Sequence, residues 1–532
     1  MSRRRITILL VCALAALFLS GCQSAPATDA PPDATPDATP DGTAPGEESA
    51  VLEFRLGEGS LEEPKGEVTF PLDGVLAVPQ GENCPVVFIL HGAHGVDDVT
   101  ENRYYQGFSY LAESLAQKGY LAVSININRA FSVEPFEGDE YGRAMGIFNA
   151  YYDLIKRAND REKVFDADLK GKADLTSLNF IGHSRGGDDS LYITKQLRDG
   201  GDDSVRSVLL VASPLMVIPE MSYTDVPTGV ILSQYDGDVV GLETTTLFNR
   251  AWFLDEARET PVSMAFLYGG NHNQYNSSIA QEDSLAPPQN VEYIDGETQR
   301  GFLSAYAAQF LNIFNKNGDA ADLGSGLEER LGFDFMPSVI LPSSSRLVPD
   351  AAMTGITKDG MTVETVTFSQ IPLDNTIIPF NHPGQLEEDV QMYKVSWTQA
   401  GQGLCITPKN GKWQGSEILT LLLANDSTSA ANKSGAELSM ELVLTDGSGA
   451  SASYTLDTKS GALRYLPVKI INVFEGMEGL PEYWCAEHYT PLGTELIKLN
   501  EFEGVDLGDI RTVTLKSKSE TGAIVLGGIQ VS

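Results

Sequence analysis

The chain contains few basic residues for its length. Among its 532 residues, 37 are Lys or Arg and 73 are Asp or Glu, so the formal net charge is −36 at pH 7. A nucleic-acid partner is excluded on this ground, because binding would require many cations to neutralise the phosphates. A basic face that adsorbs to anionic lipid is disfavoured for the same reason. The excess of carboxylates instead indicates a well-solvated surface.

The apolar run near the N-terminus is too short to span a membrane. It extends from Ile6 to Leu19 after the basic segment MSRRR and has 14 residues, whereas a span needs about 20. The run ends in the sequence LSGC, which closes at Cys22 and resembles the lipobox of bacterial lipoproteins. The resemblance implies that residues 1–21 are a signal peptide and that Cys22 becomes a lipid anchor at the cell membrane. The alternative is an ordinary cleaved signal with a chance cysteine, and the protein is exported in either case.

Large apolar residues are almost missing from residues 22–50. This segment repeats Pro-Asp-Ala-Thr and holds too little apolar surface to form a core. Because Pro keeps such a chain extended, we expect a tether that holds the globular part away from the membrane.

Cysteine is also scarce, with five residues in the whole chain. Beyond Cys22, the globular part contains Cys84, Cys405 and Cys485. Export permits a disulfide, and Cys405 with Cys485 is the expected pair because both lie in the C-terminal half. Cys84 is interpreted as a small apolar residue before a strand.

Residues 51–340 alternate short apolar runs with helical patterns. The opening runs VLEFRLG and EVTFPLDGVLAVP alternate as antiparallel strands do. The later runs PVVFIL, LAVSIN, LNFIG, VLLVA, GVILSQ and MAFLYG are short and apolar, as buried parallel strands are. Helical stretches separate them, and the long one TQRGFLSAYAAQFLNIFNK closes the segment. The alternation predicts an α/β fold with a mostly parallel sheet.

Residues 341–532 lack any long helical pattern. Short runs such as VQMYKVSW, AELSMELVLT and IRTVTLKS alternate with turns rich in Gly, Asp, Asn and Ser, which predicts a second, all-β domain, a β-sandwich or jelly roll. The closing segment resembles the end of galactose-binding-like jelly rolls. The resemblance implies a glycan as the ligand of this domain. Exposed aromatic residues would favour glycan binding, and the candidates are Trp397, Trp413, Tyr483 and Trp484. For a strand position such as Trp397, core packing is the favoured interpretation.

The stretch NFIGHSRGG, residues 179–187, contains the pattern G-x-S-x-G around Ser184. A buried strand precedes it and the helical stretch DDSLYITKQL follows it. A nucleophilic serine at such a strand-to-helix turn needs very small residues two positions before and after it, and Gly182 and Gly186 occupy those positions. The context therefore indicates a nucleophile at Ser184.

A serine nucleophile needs a histidine to accept its proton and a carboxylate to orient that histidine. Histidines are few, six in all, and the first after Ser184 is His272, on the loop that leaves the run MAFLYG. Between the two, the run GVILSQ emerges onto Asp236 and Asp238. Another apolar run, VFIL, leads directly to His91-Gly92.

These four features together resemble the α/β-hydrolase superfamily over about residues 51–316. The sequence GHSRGG is similar to the elbow of chlorophyllase-like, dienelactone-hydrolase-like and cutinase-like bacterial esterases. The resemblance implies Ser184, His272 and Asp236 as the catalytic triad, with Asp238 as the alternative acid. It also implies an oxyanion hole made by the backbone N–H groups of Ala93 and Arg185.

The remaining histidines near these motifs have other interpretations. His91 is expected to support the oxyanion loop, and His183 is expected to pack beside the nucleophile. His94 is either a solvated loop residue or a contact to the substrate. A metal site built from His91, His94 and Asp97 or Asp98 is an alternative, but H-x-x-H on a loop is weak evidence, and we predict no metal and no organic cofactor.

The chemistry implied is hydrolysis of a carboxylic ester, small or polymer-borne, through an acyl-enzyme. Two loops, which follow Ile127 and Ala212, are expected to overhang the serine. No long apolar lid helix is visible, so a triglyceride lipase with interfacial activation is not indicated. The alternatives are a serine peptidase or amidase of the same fold, and a surface glycan-binding protein in which the β-domain carries the function.

Overall fold

The computed structural model describes thirteen stretches of the chain. They are residues 50–63, 66–93, 103–131, 139–215, 224–254, 257–279, 291–343, 345–347, 353–367, 391–467, 469–472, 484–488 and 491–532. The predicted signal peptide, lipid anchor and tether of residues 1–49 lie outside these stretches, as do His94, Asp97 and Asp98. The chain divides into two compact units, Met1–Ile89 with Ala93–Leu175, and Leu90–Gly92 with Thr176–Ser532.

The first unit combines strands and helices. Its strands are β1 (Ala50–Glu63), β2 (Gly66–Val78), β3 (Cys84–Leu90) and β4 (Leu121–Ile125), and its α-helices are α1 (Ser109–Gln117), α2 (Asn128–Phe131) and α3 (Glu140–Asn159). The strand order is β1-β2-β4-β3, and β1 with β2 forms the antiparallel opening that the sequence predicted. Helix α3 begins where the Asp139 carboxylate accepts the Gly142 N–H at 2.9 Å, because an N-cap oxygen satisfies an otherwise unpaired donor.

The second unit contains a mixed, mostly parallel sheet. Its strands are β5 (Ala173–His183), β6 (Val205–Val211), β7 (Thr228–Ser233), β8 (Val262–Leu267) and β9 (Phe335–Ile340), in that order across the sheet. Its α-helices are α4 (Arg185–Asp199), α5 (Thr245–Phe253), α6 (Gly296–Asn315) and α7 (Leu327–Leu331). Strands β5 to β8 pair in parallel and β9 is antiparallel to β8. The strands β7, β8 and β9 are buried along their whole length, which explains why they are apolar runs without alternation.

Antiparallel sheets follow in the C-terminal region. The strands are β10 (Ser345–Leu347), β11 (Met353–Asp359), β12 (Thr362–Thr367), β13 (Gln391–Trp397), β14 (Gly403–Pro408), β15 (Ile418–Asn425), β16 (Met440–Asp446), β17 (Ser451–Leu456), β18 (Lys469–Asn472), β19 (Trp484–His488), β20 (Gly493–Lys498), β21 (Ile510–Ser517) and β22 (Gly522–Val531). One sheet has the order β12-β13-β22-β15-β20 with β10 beside β22, another has the order β11-β14-β21-β16-β17, and β18 pairs with β19. The α/β region and the antiparallel C-terminal region were both predicted from the sequence.

The tryptophans of the C-terminal region that the structure describes are in its core. Trp397 and Trp413 are each 1% exposed, and their indole N–H groups donate to the carbonyls of Ser519 and Asn410, both at 3.1 Å. Core packing of Trp397, the favoured interpretation, is therefore confirmed. The side chains of Tyr483 and Trp484 lie outside the described residues.

Cys405 is a free, half-buried thiol on β14, which does not fit the expected disulfide with Cys485. The side chain of Cys485, on β19, lies outside the described residues. Cys84 is buried at the start of β3, where its thiol contacts the Glu82 carbonyl at 3.7 Å.

Within the second unit, the C-terminal region packs against the mixed sheet. The Val339 N–H of β9 donates to Thr494 Oγ1 of β20 at 2.8 Å. The Arg464 guanidinium lies over the Tyr268 ring, 3.8 Å from its centroid. Tyr268 directly follows β8 and precedes His272 by four residues, so the C-terminal region contacts the segment that carries the candidate base. In the stretches that the structure describes, no helix is long and apolar enough to cross a membrane.

Candidate active site

Ser184 lies on a strained turn between β5 and α4. Its backbone has φ 53° and ψ −131°, a conformation that a non-glycine residue rarely adopts. The turn is held by the Ser184 N–H, which donates to the Val211 carbonyl at 2.8 Å, and by the Gly187 N–H, which donates to the Ser184 carbonyl at 2.9 Å. Strain of this kind persists only where the surrounding structure imposes it, and it occurs often at functional sites.

The glycines around Ser184 are required by close backbone contacts. A Cβ on Gly182 would lie 2.2 Å from the Gly186 carbonyl oxygen and 2.5 Å from Gly187 Cα. A Cβ on Gly186 would lie 2.5 Å from the carbonyl oxygens of Leu90 and His91. Both distances are far below van der Waals contact, and the neighbouring atoms are backbone atoms that cannot rotate away. The strand, the helix and the segment at His91 therefore meet at Ser184 because these positions have no side chain.

Asp236 and His272 form a buried pair. His272 Nδ1 is 3.1 Å from Asp236 Oδ2, and the two side chains are 2% and 0% exposed. The other oxygen, Oδ1, accepts the N–H groups of Val239 at 2.6 Å and Asp238 at 3.0 Å. Because a carboxylate accepts the Nδ1 proton, Nε2 of the neutral ring is left without hydrogen and can accept a proton. Of the two candidate acids, Asp236 contacts His272, while the backbone N–H of Asp238 orients Asp236.

The loop that carries His272 is held by groups that the sequence did not single out. The Asn271 carbonyl accepts the side-chain N–H of Gln299 at 2.7 Å and the hydroxyl of Ser233 at 3.0 Å. The Ser233 hydroxyl is also 2.9 Å from the hydroxyl of Tyr275. Ser233 is the last residue of β7 and Gln299 belongs to α6, so the loop is hydrogen-bonded to two elements that are distant from it in sequence. No local motif marks such contacts, because the partners are 28 and 38 residues away from Asn271.

His183 brings the serine turn and the histidine loop together. Its Nε2 lies 2.9 Å from the carbonyl oxygen of His272, and the centroids of the two imidazole rings are 4.9 Å apart. Because His183 is covalently next to Ser184, the contact places the nucleophile and the base on adjoining segments.

His91 is buried and hydrogen-bonded to the residue that follows it. It is fully buried, and its Nδ1 is 2.8 Å from the carbonyl oxygen of Gly92. Burial lowers the pKa of His91 to about 4, so the ring is neutral at neutral pH and Nδ1–H donates to that carbonyl. The His91 carbonyl also abuts Gly186. The main chain of His91 therefore packs against the turn of Ser184, and its ring is bonded to Gly92.

The predicted oxyanion donors are the backbone N–H groups of Arg185, the first residue of α4, and of Ala93, the residue after Gly92. Arg185 starts α4, and the first N–H groups of a helix have no partner within the helix. Burial lowers the pKa of the Arg185 guanidinium, and the charges of Asp189 and Asp188 act in the opposite direction. Ala93 belongs to the first unit and is half-buried. The assignment of the oxyanion hole to these two N–H groups stays a prediction.

Metal ligands are not clustered in the part of the chain that the structure describes. No group of three or more His, Cys, Asp or Glu side chains there could hold an ion. Comparisons of the sequence with models of known protein families and with curated proteins found no match.

Proposed function

We propose that this protein is an exported, lipid-anchored serine hydrolase of the α/β-hydrolase type that cleaves carboxylic esters through an acyl-enzyme intermediate. The observation that carries the proposal is the buried hydrogen bond between His272 and Asp236, on a loop that adjoins the strained turn of Ser184. A buried acid–imidazole pair and an exceptional serine conformation are each costly for a fold, and nucleophilic catalysis explains both features.

In the proposed reaction, His272 Nε2 takes the hydroxyl proton as Ser184 Oγ attacks the acyl carbonyl carbon. The bond between carbon and leaving oxygen breaks, and His272 returns the proton to the leaving alcohol. Water then repeats the steps on the acyl-enzyme and releases the carboxylic acid. Asp236 orients the ring and stabilises the imidazolium that forms in each step. The predicted oxyanion donors, the N–H groups of Ala93 and Arg185, would each contribute about 3 kcal/mol of transition-state stabilisation.

The order of the site residues along the chain supports the finer assignment of fold. The serine follows β5, the acid follows β7 and the histidine follows β8, each at the carboxyl end of a strand of the mixed sheet. This is the order and the sheet edge at which α/β-hydrolases carry their triads. The two larger antiparallel sheets of the C-terminal region fit the β-sandwich prediction, and its proposed ligand, a glycan on which the ester is borne, rests on the sequence resemblance alone.

Ester hydrolysis across a series of acyl lengths tests the proposal. The full-length chain, solubilised in detergent, is assayed with p-nitrophenyl esters whose acyl groups have two to about twelve carbons. We expect turnover that Ser184→Ala abolishes, with a length profile that reports the size of the acyl pocket. Ser453→Ala, an exposed serine on β17, is the matched control and retains full activity. A folded protein that cleaves no ester, or a Ser184→Ala variant as active as the control, would contradict the proposal.

A further inference from the structure

We propose that His183 is a positioning residue that fixes the catalytic base by holding the main chain of His272. This inference rests on the proposed function and concerns the same site. In the sequence, His183 is only the residue before the nucleophile. The positioning role is inferred from its contact with His272, which is 89 residues away in the chain.

The contact is direct and shielded from water. His183 is 1% exposed, and its Nε2 lies 2.9 Å from the His272 carbonyl oxygen. The two rings are tilted by 44°, and the Tyr275 ring packs edge-on against His183 with centroids 6.0 Å apart. A buried hydrogen bond between a side chain and a carbonyl is costly to break, since the carbonyl would lose a partner without gaining water.

The geometry determines which nitrogen carries the proton. A carbonyl oxygen only accepts, so Nε2 of His183 must donate to it. Burial lowers the pKa of His183 well below its usual value, and the neighbouring His272 and His91 lower it further. The ring is therefore neutral at neutral pH, with its one hydrogen on Nε2 and none on Nδ1.

His272 is thus held at two points. Asp236 binds the Nδ1 side of its ring, and His183 binds its main-chain oxygen. Because Ser184 follows His183 directly, the bond also couples the position of the nucleophile to that of the base. A neutral His183 adds no second positive charge when His272 becomes an imidazolium during the reaction. A charged residue in its place would oppose that step.

Two substitutions separate the hydrogen bond from the packing of the ring. His183→Phe keeps an aromatic ring and removes the donor, whereas His183→Gln keeps an N–H near the position of Nε2. In His183→Phe we expect kcat to fall by about 10- to 100-fold while KM changes by less than about threefold, because the base is misplaced by a fraction of an ångström and the substrate contacts remain. In His183→Gln most of the kcat loss is recovered. Phosphonylation of Ser184 by a fluorophosphonate should slow in parallel with kcat.

The outcomes distinguish this inference from the proposed function. A wild type that hydrolyses esters and a folded His183→Phe with unchanged kcat would overturn the positioning role alone. Equal losses in the Phe and Gln variants would also overturn it, since the donor would then be irrelevant. A second measurement needs neither activity nor a variant: the ring nitrogens of ¹⁵N-histidine-labelled wild type should show His183 protonated at Nε2 and bare at Nδ1 from pH 6 to 9. A ring protonated at Nδ1, or one that titrates in this range, would contradict the hydrogen bond even if no ester were cleaved.

Discussion

Glu495 makes the stability of this protein depend on pH in a predictable direction. The side chain is on β20 and is 9% exposed. Its carboxylate oxygens accept hydrogen bonds from the hydroxyl groups of Ser460 and Ser325, and the Ser325 Oγ lies 3.3 Å from its acceptor. The pKa of Glu495 is raised from 4.5 to about 7, mainly by burial; the charge of Glu328 acts in the same direction, and the hydrogen bonds from the two hydroxyl groups act in the opposite direction.

The size of the effect follows from the two pKa values. In the unfolded chain Glu495 has its ordinary pKa of 4.5, so the folded form binds the proton more tightly. A raised folded pKa contributes stability that is fully present below 4.5 and is lost as pH rises through about 7. The difference between the two values corresponds to about 3 kcal/mol of unfolding free energy. Glu495→Gln, which stays neutral at every pH, should not suffer this loss.

Chemical denaturation at pH 4.5 and pH 9 measures this difference. We expect wild type and Glu495→Gln to have similar midpoints at the lower pH and the variant to be more stable by up to about 3 kcal/mol at the higher pH. Glu437→Gln, which removes an exposed carboxylate, is the matched control and should follow the wild type at both pH values. Parallel pH dependences in wild type and Glu495→Gln would refute the reasoning.

Two further predictions concern the candidate site. Asp236→Asn should lower kcat for esters by about 10³- to 10⁴-fold, because an amide favours the wrong tautomer of the base. Asp238→Asn should stay within a few-fold of wild type, because Asp238 contributes a backbone N–H that the substitution retains. Equal effects of the two substitutions in steady-state kinetics would show that the acid is misassigned. Gly182→Ala places a Cβ 2.2 Å from the Gly186 carbonyl, so we expect a loss of about 3 kcal/mol or more in thermal or chemical unfolding together with loss of ester turnover. A stable and active Gly182→Ala protein would show that the turn relaxes more easily than its packing indicates.

The serine turn could be predicted from sequence because its constraints are local. Gly182 and Gly186 have to be small for a strand to pass directly into a helix, and both positions are visible in a stretch of nine residues. In the structure, a side chain at Gly182 would clash with the backbone of Gly186, and a side chain at Gly186 would clash with the backbone of His91. The choice between Asp236 and Asp238 depends on a contact that no local pattern displays, since both residues follow one strand. The turn in which Asp238 donates its N–H to Asp236 decides which carboxylate reaches His272.

The C-terminal region shows that sequence patterns predict strands but not how the strands pair. Alternation predicts its strands one by one, and β16 does alternate between buried and half-buried residues. The pairing of β22, the last strand, with β10, β13 and β15 depends on residues up to about 190 positions away, and no local pattern encodes it. The same holds for Glu495, whose unusual environment is built from Ser325 and Ser460 on segments far from it in sequence.

The central claim is that Ser184 is a nucleophile activated by His272, and covalent labelling tests it most directly. The full-length protein is treated with a fluorophosphonate probe and the modified residue is identified by peptide mass spectrometry. We predict a single adduct on Ser184, formed at a rate that falls strongly in His272→Ala and is unchanged in Ser453→Ala. A folded protein that remains unlabelled, or one whose labelling at Ser184 does not depend on His272, would contradict the claim.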